Sequence, residues 1–143
     1  MKPFVTACLI GLGVALLLVG VVSGTFVRHV VQILPILLVL IVLHSRPDWG
    51  AYAALPIFIF WIGIVILIWL FLLGFSRIAI GQYTTPEIVL TFVMAGCSVA
   101  GVLRSVSLGR SVPVVGRVAV FILFAVLQVA AMWVSFLRSI VNR

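Results

Sequence analysis

The sequence predicts an all-α, polytopic transmembrane helical bundle of five helices, or of four plus a re-entrant or interfacial segment. Three observations carry this. The 143 residues are 66% hydrophobic and only 8% charged, against roughly 45–50% and 25% in an ordinary soluble domain. Mean hydropathy is +1.50, which leaves too little polar surface to cover a water-soluble globule of this size. The charges gather at or beyond the ends of five apolar runs. Every backbone N–H and C=O in hydrocarbon needs a partner, so helices are the spanning form. A β-barrel would show alternating segments of roughly ten residues, and no segment alternates.

A crossing takes about 20 mostly apolar residues. The first helix is expected over 4–24. Lys2 and the Val22-Ser23-Gly24 stretch also resemble a signal peptide, but the apolar run is about 19 residues, longer than the usual 7–15. A retained helix is therefore expected. The second, over 29–44, is short and holds Gln32 and Pro35. It spans if Arg28 and His29 reach back to the interface; otherwise it forms the re-entrant or interfacial segment.

The third helix, over 50–75, is the strongest. Asp48 is placed to cap it, and Trp49 and Tyr52 fall at headgroup depth. Phe58, Phe60, Trp61, Trp69, Phe71 and Phe75 are distributed around it, so it is expected on the outside of the bundle, against lipid or a partner. Trp61 lies deeper than the usual aromatic belt and reads as core packing or as the border of a groove for a lipid or partner. The fourth helix, over 86–103, opens on Thr84-Thr85-Pro86-Glu87. Thr84 can cap, Glu87 three residues later completes a capping box, and Pro86 is tolerated in the first turn. The fifth covers 117–138.

Helices in lipid associate through small residues that let backbones approach. Ala7, Gly11, Ala15, Gly20 and Gly24 recur on the first helix; Gly96, Ala100 and Gly101 recur on the fourth, beside Cys97. These two helices are expected to form the core of the bundle. Gln128 is the only strongly polar residue at mid-depth. Its amide is expected to pair with Ser98 or Thr91 of the fourth helix or with another subunit, or to line a solute path.

No acid or cation lies near the middle of a run, where proton pumps and many ion-coupled carriers place one. Asp48 and Glu87 are expected at helix starts. His29 and His44 are fifteen residues apart, about 22 Å along a helix, so they lie at opposite membrane faces and cannot ligate one metal from one chain. Neither Cys8 nor Cys97 belongs to a CxxC pair, and no zinc, P-loop or nucleophile-elbow motif is present. No catalytic, cofactor or metal residue is predicted. Arg104, Arg110 and Arg117 occupy the largest polar segment. They read as a topology-setting loop that can also contact anionic lipid headgroups.

With five crossings, Lys2, Arg46, Arg104, Arg110 and Arg117 lie on one side and Arg28, Arg77, Arg138 and Arg143 on the other. The excess of one narrowly favours a cytoplasmic N-terminal side. The net charge of +7 sits on helix ends rather than on a soluble basic patch, which excludes nucleic acid as a partner. The expected partners are membrane lipids and other membrane subunits or copies of the chain. A single Lys among many Arg fits a GC-rich bacterial coding bias, and so a bacterial inner membrane. The pattern favours a non-catalytic accessory, anchor or assembly subunit of a larger membrane complex. The alternative is a small oligomeric transporter or channel with a pore lined by Gln128 and the small-residue helices. A membrane redox or lipid-handling enzyme ranks below both.

Overall fold

The computed structural model describes residues 2–78, 81–108 and 112–137. Among these the chain forms five helices and no strand: α1 (Lys2–Val22), α2 (Phe26–Ser45), α3 (Pro47–Leu72), α4 (Thr85–Leu108) and α5 (Val114–Ser135). All five are long and apolar enough to cross a membrane. The second is not a re-entrant segment. It takes in residues 26–28 ahead of its apolar run and continues through Pro35, reaching 20 residues. At the helical rise that is about 30 Å, the thickness of the hydrocarbon core.

Local chemistry sets the ends. At the close of α1, Thr25 N–H donates to Gly20 O (2.8 Å) and Gly24 N–H to Val21 O (3.3 Å). Gly24 sits at φ +68°, the left-handed residue that such a Schellman turn requires. The same turn ends α3, with Phe75 N–H to Leu70 O (2.8 Å), Gly74 N–H to Phe71 O (3.0 Å) and Gly74 at φ +80°. Glu87 reaches back as expected and accepts from Thr84 N–H (2.6 Å) and Thr84 Oγ1 (2.8 Å). Asp48 is not the cap of α3. Arg46 holds that position, Pro47 takes the first turn, and Asp48 follows within it, beside the positive end of the helix dipole.

Helices α1 to α4 form a ring in chain order, closed by the packing of α1 on α4, and α5 lies on the outer edge between α2 and α3. Among the described residues α4 and α5 make no close backbone approach. Successive helices run in opposite directions, as contacts at the two ends show. On the first face, Lys2 Nζ donates to His44 O (2.8 Å), and the guanidinium groups of Arg104 and Arg117 lie 5.4 Å from the Phe4 ring and 5.3 Å from the Tyr52 ring. On the second, the Arg28 guanidinium lies 4.2 Å over Phe136.

The core departs from expectation first at α3. Helix α3 does not lie outside the bundle: it packs against α2, α4 and α5, and Ile57, Phe58 and Trp61 are buried. Its start supplies the reason. Gly50, Ala51, Ala53 and Ala54 are all buried and admit neighbouring backbones closely, while Phe58 and Trp61 fill the space further along. The expected packing of α1 on α4 is present, with Leu9, Leu12 and Leu16 on the inner side of α1.

Candidate functional site

The predicted packing residues divide by what a side chain at each position meets. Ala15 is buried and Ala100 half-buried against the core. A Cβ on Gly11 would stand 2.8 Å from Cys97 Sγ, one on Gly20 would stand 3.0 Å from His29, and one on Gly101 would enter the Phe58 ring. These three hold close crossings. Ala7 and Gly24 are exposed, and Gly24 serves the turn rather than a helix face. Gly96 also faces outward, with no neighbour within 4 Å of a Cβ among the described residues. Spacing of four places residues on one helical stripe but does not say which way the stripe points.

Three further glycines were not among the predicted packing residues. A Cβ on Gly50 would strike the Leu43 backbone, and one on Gly116 would stand 2.8 Å from the Trp49 ring. Gly63 on α3 opens outward like Gly96. The cluster of small residues at 50–54 was the available signal for the first.

Gln128 is fully buried, and both polar atoms of its amide lack a partner among the described residues. Neither Ser98 nor Thr91 of α4 bonds to it, and α4 and α5 make no close backbone approach among the described residues. Thr91 instead accepts from Trp69 Nε1 (3.0 Å) and donates to Ile88 O (2.7 Å). Gln128 does not reach the outer surface of the bundle. The pairing that does join helices is one the sequence left unread. Gln32 Nε2 donates to Ser135 Oγ (2.9 Å) and approaches Met132 Sδ (3.2 Å), tying α2 to α5.

The arginine segment is mostly helical rather than a loop. Helix α4 continues to Leu108 and α5 starts at Val114, so Arg104 and Arg117 lie on helix ends. Arg117 Nε donates to Val112 O at 2.5 Å. Arg110 lies outside the described residues. His29 and His44 stand at opposite faces, and among the described residues no three His, Cys, Asp or Glu come together as a metal site would require.

A cleft of about 550 Å³ opens at the second face. Its rim carries Thr25, Arg28 and His29 from the start of α2, and Tyr83 and Glu87 from the approach to α4. Its deeper wall is formed mostly by Leu16 and Val19 of α1, Trp61 and Ile64 of α3, and Met94 of α4, with Gln32 of α2 and Thr91 of α4 at the depth of Leu16. Trp61 lies eleven residues before the end of α3 and Met94 nine after the start of α4, so the cleft reaches roughly 15 Å into the span. Two of its donors are buried without an acceptor among the described residues, Arg28 Nε and Trp61 Nε1. Burial pushes the Tyr83 hydroxyl above its ordinary ionisation range, and the neighbouring Glu87 charge pushes it the same way, so the phenol stays neutral at the rim. Read along the chain, Arg28, His29 and Glu87 hold separate end-of-helix roles. Only the antiparallel return of α4 beside α1 brings them to one opening.

No family model, curated protein or solved structure matches this chain. The five apolar helices fit a small integral membrane protein that crosses the bilayer several times.

Proposed function

We propose that this integral membrane protein is a non-catalytic accessory, anchor or assembly subunit of a larger membrane complex, resident in a bacterial inner membrane with the Lys2 face toward the cytoplasm. The contrast among its glycines carries the reading. Gly11, Gly20, Gly50, Gly101 and Gly116 each meet a neighbour closely, whereas Gly63 and Gly96 have none within 4 Å among the described residues and face outward in mid-helix. A glycine inside a helix costs about 1 kcal/mol relative to alanine. Against lipid alone that cost has no return, while a helix from another subunit laid over such a position gains a close backbone approach. The commitment of Glu87 to Thr84 also favours a scaffold role over acid–base work. The enclosure of Gln128 favours it over a pore shared between copies.

The test is affinity purification of the full chain from its native membrane in mild detergent. A partner at fixed stoichiometry is expected. Gly63→Leu or Gly96→Leu should release it while leaving the helical fold intact. A homogeneous lone monomer, or a complex indifferent to both substitutions, overturns the reading.

A further inference from the structure

We infer that the second-face cleft holds one zwitterionic phospholipid, its phosphate at Arg28, its ammonium at Glu87 and an acyl chain along the deeper wall. This goes beyond the subunit reading and does not depend on it.

The rim and the wall differ in chemistry as the two ends of an amphiphile do. Arg28, Tyr83 and Glu87 stand at the opening; Leu16, Ile64 and Met94 line the depth, and the two polar side chains there, Gln32 and Thr91, are already bonded to Ser135 Oγ and Ile88 O within the protein. The volume, about 550 Å³, falls within the roughly 300–1,000 Å³ of ligand sites. Buried polar groups are nearly always paired in a folded protein, yet Arg28 and Trp61, which both line this cleft, carry in Nε and Nε1 donors with no acceptor among the described residues. Each is a donor, so the missing groups are acceptors. A phosphate answers the first, because the planar guanidinium fork matches its oxygens. Trp61 Nε1, at the deep end of the cleft, lies beyond the reach of that headgroup.

Arg28 is held ready for this by stacking 4.2 Å over Phe136. An acid alone would leave the Glu87 carboxylate facing a like charge. One guanidinium and one carboxylate at a single rim suit a head that carries both signs. The neutral Tyr83 hydroxyl adds a donor without adding charge.

The experiment titrates the full-length protein in detergent with phosphatidylethanolamine and with phosphatidylglycerol of the same chains, read by native mass spectrometry. The unmodified protein should take up one ethanolamine lipid ahead of the glycerol lipid. Arg28→Gln should weaken both by about tenfold or more, the scale of a lost charged hydrogen bond. Glu87→Gln keeps an acceptor for Thr84 and should erase the preference between headgroups. Circular dichroism and gel filtration establish that each variant is folded; if Arg28→Gln does not fold, the headgroup preference of Glu87→Gln decides alone. Equal uptake by Arg28→Gln and the unmodified protein overturns the inference. So does a headgroup preference that survives Glu87→Gln, binding of several lipids without preference, or equal binding of a fatty acid that lacks phosphate.

Discussion

The Phe58 ring occupies the volume that a Cβ on Gly101 would need. Helices α3 and α4 therefore meet through a ring seated on a bare backbone. The bulky residue and the small one are each explained by the other.

Substitution at that crossing should be costly in proportion to size. Gly101→Ala is expected to lose about 1–3 kcal/mol through overpacking, partly offset by the better helix propensity of alanine, and Gly101→Leu should not assemble at all. Gly96→Leu, on the open side of the same helix, should stay within about 0.5 kcal/mol of the parent, as surface changes do. Thermal unfolding in detergent separates the two. Equal losses at both positions would mean that the face assigned to α4 is wrong.

Gln128→Leu should be neutral or stabilising. Its amide is enclosed with neither polar atom paired among the described residues, and an unmet buried polar group costs about 1–3 kcal/mol. The apolar replacement removes that cost with little change in volume. A clear fall in unfolding temperature would show that the amide has a partner.

Gln32→Leu should act in the opposite direction, because it breaks the bond to Ser135 Oγ. Interhelical hydrogen bonds in membranes average about 0.6 kcal/mol, so a small loss is expected, with Ser135→Ala losing a similar amount and the double variant little more. Additive losses in this double-mutant cycle would show that the two side chains do not act on each other.

Tyr83 should ionise above the ordinary tyrosine value of 10.0, driven first by burial and then by the charge of Glu87. The phenol is favoured in its neutral form by the fold. Its contribution to stability is therefore complete below the unfolded value and is lost as pH rises through the higher folded one. Tyrosinate absorbance against pH should show a late-titrating component that Tyr83→Phe removes. An unshifted titration would place the ring in open water.

The spans were legible in the sequence because hydropathy reports directly on transfer into hydrocarbon. The Thr84–Glu87 cap was legible because its chemistry is local. Facing was harder. Gly11, Gly20 and Gly96 look alike as letters, yet only the first two press on a neighbour. In a chain apolar on all sides, no polar stripe marks the outside. The position of α3 was misread for the same reason, since its large aromatics look lipid-facing until Gly101 is found beneath Phe58. The cleft was illegible because Arg28 and Glu87 are 59 residues apart in a chain whose ring closure brings α1 and α4 together.

Arg46 is at once the residue that ends α2 and the one that begins α3, and Gly50 just beyond it rests on the Leu43 backbone. A link of one residue leaves no slack. The two helices form one tight hairpin, and because successive helices run antiparallel, the side on which Arg46 lies dictates the direction of every other helix.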